Sequence, residues 1–463
     1  MYRFSGHAAS RCRMGCHRQG ETSRPCRLPH GNNRLLSQKL QGSPLNTIIP
    51  KDVTFRKSYD VFIIGAGVSG LIAAIQAAQR GRRTLILDHA ITAGNKMRIS
   101  GGGKCNITNR HVSVADYFGA DTSFCKYALK RFPTASILKL LDTAHIATEE
   151  REYGRIFCKK EATEIVMYLR LTAELAGVHF MMGAFVTDIK YKTGKFVIEI
   201  NVEELLSTAT AGQPAPEPQN RLLSAKSLLI ASGGLAYPQV GASDFGYSIA
   251  KQFGHTILPL RPALVGFILP PSSPLRNLQG ISLDVQIQIK GTTIAEPFLF
   301  THQGISGPAS LQASCLWEPG DTLIVNFLPT DDIIAQMHVP QNGRFLVKNL
   351  ITRLLPERLA KALIPEHLAD RKVAELSKQD RKNIAGAIHA YPIDPVAVDD
   401  YTKAEATMGG VSTHELNPKS MESRLQKGLF FSGEVVDVAG RLGGYNIHWA
   451  FASGFVAGKN LHE

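Results

Sequence analysis

Residues 59–88 constrain this chain more than any other stretch. They read YDVFIIGAGVSGLIAAIQAAQRGRRTLILD: an apolar run at 61–64, glycines at Gly65, Gly67 and Gly70, a helix-forming stretch, a second apolar run and a terminal acid. That order predicts a βαβ unit shaped for a dinucleotide. Gly65 permits the tight turn, Gly67 lets the backbone approach a pyrophosphate with no side chain in the way, and Gly70 lets the helix pack closely on the strand. The phosphates would then face the unpaired N–H groups of the first helical turn. Asp88 lies about 20 residues further on, at the end of the second strand, where a carboxylate accepts hydrogen bonds from a ribose diol and disfavours a 2′-phosphate. A glycine-rich turn in an ordinary parallel sheet would explain the glycines but not the placed acid.

A chain of 463 residues exceeds one typical core, so more than one domain is expected. Its 44% hydrophobic and 20% charged content is that of a soluble globular protein. The apolar window 61–78 is broken by three glycines, Ser69 and Gln76, and no membrane span is expected. The formal charge of +13 is unevenly placed: residues 1–57 carry eleven Lys or Arg against two acids, which leaves +4 for the remaining body. Charge alone therefore makes no case for nucleic acid. The tail is Arg-rich and acid-poor like an organelle transit peptide, yet it lacks a clean amphipathic helix and the apolar region of a secretion signal. It reads equally as a disordered extension or as an upstream stretch absent from the working protein. Seven cysteines without framework spacing point to reduced thiols, hence to the cytoplasm, or to an organelle if the tail is a transit peptide. Cys12 and Cys16 have a metal-like spacing but no matched second pair, and no metal site is expected.

Beyond Asp88, the glycines Gly101, Gly102 and Gly103 followed by Lys104, Cys105 and Asn106 form a loop rich in N–H donors, suited to phosphates or a flat ring but also to an ordinary surface loop. Residues 115–180 read mainly as helix. Alternation about residues 192–195 predicts a β-hairpin, followed by a Pro-rich loop at 203–220 and a buried strand from Leu228. Short β-like runs separated by Gly and Pro fill 256–330, and charged helix formers fill 331–390. The last segment, from Gly428, returns to strand, glycine loop and helix, and is expected to close one sheet with the first motif.

The motifs SGGGKCNITN, ASGGLAYPQVGASDFGY from Ala231, FTHQGISGPASL from Phe300, MGGV from Met408 and FFSGEVVDVAGRLGGYN from Phe430 together resemble the BaiN/RdsA family of FAD-dependent oxidoreductases, over roughly residues 59–461. The resemblance implies an α/β fold: a glutathione-reductase-like FAD-binding Rossmann domain interrupted by a β-barrel plus helical insertion. The expected parts are a basic, disordered tail at 1–57, a discontinuous FAD domain at 58–253 and 401–463, a β-barrel-like insertion at 254–330, and a helical insertion with the return to the FAD domain at 331–400. The FAD positions it implies are Gly65, Ala66, Gly67, Ser69 and Gly70 at the pyrophosphate, and Asp88 at the adenosine ribose. In the following loop they are Lys96, Cys105 and Asn106. Val186 would meet adenine, Ala231, Ser232 and Gly233 would line the pyrophosphate, and Gly433, Glu434 and Asn446 would approach the ribitol and flavin. Asp88 stands where family members more often have Glu, and Asn95 where Arg is common. Only one full dinucleotide fingerprint is present, so NAD(P)H would bind transiently near the flavin rather than in a second Rossmann domain.

The family's activities imply reduction of an activated C=C bond: uridine to dihydrouridine in large-subunit ribosomal RNA, or a bile-acid-type substrate. Such a reduction needs a proton donor over the flavin. Cys105, His302, Tyr445 and His448 are candidates, although each also reads as a packing or loop-stabilising residue. Three functions stay open: an FAD enzyme acting on uridine in ribosomal RNA, an FAD-dependent reductase or oxidase of a small molecule, and a non-catalytic flavin-binding protein. The oligomeric state is open as well.

Overall fold

The computed structural model describes residues 55–202 and 219–462. The tail before residue 55 and almost all of the expected Pro-rich loop lie outside the described residues.

Strand β1 (Ser58–Ile64) is buried from Tyr59 onward, as expected of a central parallel strand covered on both faces. Helix α1 (Val68–Gln79) and strand β2 (Thr84–Asp88) complete the first βαβ unit, with Phe62 opposite Leu85 in a parallel ladder. Strand β3 (His179–Met182) extends the parallel sheet beyond β2. Strands β4 (Ala184–Lys192) and β5 (Lys195–Val202) form the expected hairpin, closing at Lys192 and Lys195. Strand β6 (Gln219–Ile230) lies on the other side of β1 in parallel. Its outer edge is shared: residues 219–225 pair antiparallel with β5, and residues 228–230 pair in parallel with β7 (Leu429–Phe431). The first and last motifs thus join one sheet, ordered β3-β2-β1-β6-β5-β4 with β7 beside β6.

Helix α2 (Tyr445–Asn460) lies against α1. A Cβ on Gly454 would stand 2.4 Å from the Ser69 carbonyl, and one on Gly458 would stand 2.5 Å from that of Ala73. Both contacts advance four residues in the same direction, so the helices run parallel at backbone distance. Their N-termini therefore open at the same end of the sheet.

Residues 115–180 are less helical than their composition predicts. Lys126–Arg131, Thr134–Thr143 and Ala162–Leu175 are helices. Between them Thr148–Arg151 and Arg155–Cys158 form a hairpin, which pairs through its second strand with Asn106–Asn109. Tyr153 and Gly154 make its turn at φ 60° and 69°. Strands of four residues carry too short an alternation to stand out against neighbouring helices.

The chain leaves and re-enters this unit through Ile257–Ala263 and Ala406–Val411, which pair antiparallel. Between them lies a seven-stranded sheet whose edges are Tyr391–Ile393 and Ala397–Val398. Only residues 394–396 separate these edges in sequence, so the sheet curls toward a barrel, although no ladder joins them among the described residues. The segment expected to be all β also holds the helix Gly307–Ser314, packed on Thr292–Phe300. Short helices between residues 333 and 389 cover the sheet, sharing a core that includes Phe298, Phe327, Leu359 and Ile388. Arg381 braces this layer by donating to the carbonyls of Met337, Val373 and Leu376. Among the described residues no helix is long and apolar enough to cross a membrane.

Candidate active site

The turn after β1, the end of β6 and the N-termini of α1 and α2 enclose a cavity of about 350 Å³. A second cavity of about 270 Å³ shares Gly65, Asp88, His89 and Ser232 with its wall. The two volumes adjoin, which suits an elongated ligand. Such sizes are typical of small-molecule and cofactor sites.

The glycine turn is built by backbone sterics. Gly65 sits at φ 112°, and a Cβ there would lie 2.3 Å from the Ala231 carbonyl. A Cβ on Gly70 would lie 2.0 Å from the Gly65 carbonyl, so the helix approaches its own turn as closely as the sequence predicts. Gly67 differs. Its φ of −73° is ordinary, no atom lies within 4 Å of a Cβ built on it, and it faces the cavity. Helix α1 has no side-chain cap and no acid in its first turn, which leaves its N–H groups and positive end for an anion. The Ser232 hydroxyl, on the same wall, is buried without a partner. A cradle for a pyrophosphate explains the open space at Gly67 and the uncapped start of α1.

Asp88 lines both cavities, but its carboxylate first serves the turn: one oxygen accepts from the Ala66 N–H at 2.7 Å and the other from the Ala90 N–H at 2.8 Å. Each oxygen keeps a second lone pair for a ribose diol. Val186 lines the smaller cavity with Phe185 and Phe245, an apolar slot suited to adenine. Ser69, Ala231, Gly233 and Gly433 line the larger one. Lys96 and Glu434 also line it, as an ion pair at 2.5 Å, and the other Glu434 oxygen accepts from the Thr407 N–H at 2.8 Å. At the start of α2, Asn446 lines the cavity while its amide closes on Gly440 through bonds of 2.7 and 2.9 Å. In the amide orientation its neighbours require, Asn106 donates to the Thr108 carbonyl and accepts from the Gly444 N–H, each at 3.2 Å. Three positions implied by resemblance lie off both walls. Ala66 spends its N–H on Asp88, Gly70 packs behind the turn, and Cys105 is fully buried.

None of the four candidate proton donors is on the cavity wall. Burial pushes the Cys105 thiol up to about 12. His302 is exposed on the insertion. Tyr445 is 9% exposed, with its hydroxyl pushed up to about 12 by burial, although its neighbours Gly444 and Asn446 line the cavity. Consecutive residues on a helix point in different directions. His448 is fully buried with both ring nitrogens engaged, one with the Thr108 hydroxyl at 2.7 Å and the other with the Phe132 carbonyl at 3.0 Å. Burial pulls its pKa down to about 4.

The wall contains other polar groups that the sequence reading missed. Arg155 comes from the unrecognised hairpin, Glu405 from the residue before Ala406–Val411, Tyr237 from the loop after β6, and Arg441 from the glycine loop before α2. Arg155 pairs with Glu296 of the insertion, Glu296 accepts from the Gln312 amide at 2.7 Å, and Gln312 accepts from Arg441 at 3.2 Å. One polar chain thus ties the insertion to both sides of the cavity.

Among known proteins, the chain is 36% identical over 409 residues to the ribosomal RNA dihydrouridine synthase of Escherichia coli strain K12, covering 87% of this chain and 98% of that one. It is 35% identical over 408 residues to the protein of the same name from Haemophilus influenzae, covering 86% and 97%. It is also 28% identical over 423 residues to the 3-dehydro-bile acid delta(4,6)-reductase of Clostridium scindens, covering 87% and 98%. The profile described as HI0933-like protein Rossmann domain matches residues 59–460, from the start of β1 to the last residue of α2, and the chain belongs to that family.

Proposed function

We propose that this protein is an FAD-dependent oxidoreductase that saturates C5=C6 of uridine in ribosomal RNA, giving dihydrouridine, with NAD(P)H as its transient electron donor. The observation that carries this reading is the 36% identity spanning 98% of a protein named for that reaction. Residues 58–253 and 401–463 would hold the flavin dinucleotide, and the insertion at 254–400 would meet the substrate. The glycine turn and α1 bind the pyrophosphate, Asp88 the ribose, and the slot of Phe185, Val186 and Phe245 the adenine. The open N-terminus of α2 favours negative charge at the far end of the cavity. When bound, FAD supplies hydride transfer, and the protein supplies orientation and a proton.

The 28% identity to a bile-acid reductase supports a second reading, reduction of a conjugated C=C in a small molecule. Both substrates hold a double bond polarised by a carbonyl, so the cofactor site serves either. Nucleoside mass spectrometry of ribosomal RNA from cells with and without the gene separates them. Loss of a dihydrouridine on deletion, restored by the purified flavoprotein, is the expected result; unchanged RNA would favour the small molecule. The cytoplasm is the proposed location, or an organelle if the tail proves to be a transit peptide.

A further inference from the structure

Three carboxyl groups line the larger cavity: Asp88, Glu405 and Glu434. Asp88 is held by two backbone N–H groups, and Glu434 by Lys96 and the Thr407 N–H. The Glu405 carboxyl makes no hydrogen bond or ion pair among the described residues. Its main chain is fixed, however, because its N–H donates to the Leu264 carbonyl at 3.2 Å. Two residues on, the Thr407 hydroxyl accepts from the Leu235 and Ala236 N–H groups at 2.8 and 3.2 Å. Leu264 and Tyr237, both on the same wall, are held at φ 53° and 66°. Non-glycine residues in that region cost about 1–3 kcal/mol each and persist where surrounding structure imposes them, often at functional sites.

The other proton carriers on this wall are poorly suited to act as an acid. Arg155 and Arg441 do not release protons. Lys96 is committed to Glu434. His89 stands beside Asp88, where the adenine slot joins. Burial and the neighbouring Glu405 raise the Tyr237 hydroxyl above its usual value of 10.0. We infer that Glu405 is the general acid of this site, delivering its carboxyl proton to the carbon beside the substrate carbonyl as the double bond is reduced.

The inference rests on the proposed C=C reduction. Saturating C5=C6 of uracil adds two electrons and two hydrogens. The hydride equivalent for C6 would be supplied by FAD held at the glycine turn and Asp88, with a dihydronicotinamide as the reductant. The Glu405 O–H bond breaks, its proton forms the new C–H bond at C5, and the carboxylate regains a proton from solvent. Glu405 is exposed, but the surface it exposes lines the cavity, and the protein packed around it raises its pKa by desolvation, against the opposing pull of Lys96 and Arg155. A general acid works best with a pKa near the working pH, and an upward direction suits a carboxyl in that role.

The test compares the wild-type holoenzyme with Glu405→Gln, which keeps the shape but cannot donate a proton, and Glu405→Asp, which keeps the acid. Flavin-to-protein ratio, melting temperature and the rate of flavin reduction by NAD(P)H are expected to match wild type. After anaerobic reduction, each protein is mixed with ribosomal RNA purified from cells in which the gene is deleted. Flavin reoxidation coupled to dihydrouridine formation should be about 10²–10⁴-fold slower in Glu405→Gln. It should be partly restored in Glu405→Asp. The wild-type rate should fall as pH rises through the Glu405 pKa, and the Gln variant should lack that limb. Independently of turnover, infrared difference spectra of wild type against Glu405→Gln should show a protonated carboxyl at neutral pH. Equal reoxidation and an equal pH profile in Glu405→Gln, or an ionised carboxylate throughout the neutral range, overturns the assignment of Glu405. If wild type forms no dihydrouridine, the proposed substrate fails instead, and the C5 proton transfer assigned to Glu405 falls with it.

Discussion

Replacing Gly67 by valine separates the fold from its ligand. The position has φ −73° and ψ 179°, which valine adopts readily, and no atom lies within 4 Å of the added Cβ. The apoprotein should therefore melt almost as wild type. Reduced freedom of the unfolded chain gains about 0.4–1 kcal/mol. Loss of glycine at the N-cap costs roughly the same. The bound state should suffer, because the isopropyl group occupies the space through which the first-turn N–H groups reach a phosphate. Losing two hydrogen bonds to a charged group, at about 1.5–3 kcal/mol each, weakens binding by roughly 10²–10⁴-fold. Gly65→Ala and Gly70→Ala make the contrast, since their methyl groups would meet backbone carbonyls at 2.3 and 2.0 Å and should destabilise the apoprotein itself. The assay pairs flavin absorbance per protein with melting curves taken with and without added FAD. At FAD near 1,000 times its Kd, wild type gains about 4 kcal/mol, and Gly67→Val should gain little. A Gly67→Val protein that retains stoichiometric flavin, or whose apo form loses stability like Gly65→Ala, would refute the reasoning.

Four further outcomes follow from the described contacts. The pKa of His448 is pulled from 6.5 to about 4, so the unfolded chain takes up a proton that the folded one refuses; its stability contribution is complete above 6.5 and falls by about 3 kcal/mol as pH drops toward 4. Denaturant unfolding of His448→Asn should lack that component. Arg381→Ala should lower the melting temperature, because three carbonyls lose their donor, whereas the exposed Lys372 and Lys382 can be replaced by alanine without loss of stability. If ribosomal RNA crosses this face, the double lysine variant lowers the log–log salt slope of RNA binding by up to about two; an unchanged slope places the RNA elsewhere. Removing residues 1–54 should leave flavin content unaltered, since among the described residues nothing before Ile64 lines either cavity; flavin loss on truncation would show that the tail takes part in binding.

The βαβ unit was legible in the sequence because its determinants are local. Three glycines, two apolar runs and an acid lie within residues 59–88, and steric exclusion by a Cβ at Gly65 or Gly70 depends on neighbours fixed by that turn and the strand beside it. The hairpin about residues 192–195 was legible for the same reason. The larger cavity was only half legible. Asp88 could be placed at the end of β2, but its bonds to Ala66 and Ala90 depend on how the turn folds back over the strand. The four proposed acids came from motifs expected near the cofactor or the domain cleft, yet His302 is exposed on the insertion, and sequence proximity does not say which face of a helix a side chain occupies. Tyr445 and His448 begin the helix whose neighbouring Asn446 reaches the wall. Arg155 reaches it from a hairpin and Glu405 from the residue before a strand, 250 residues apart in number, through pairing with Asn106–Asn109 and with the Leu264 carbonyl. The sequence by itself determined the dinucleotide turn and its family. Which carboxyl stands unpartnered in the cavity was decided only by tertiary structure, because that depends on contacts between segments whose spacing carries no local pattern.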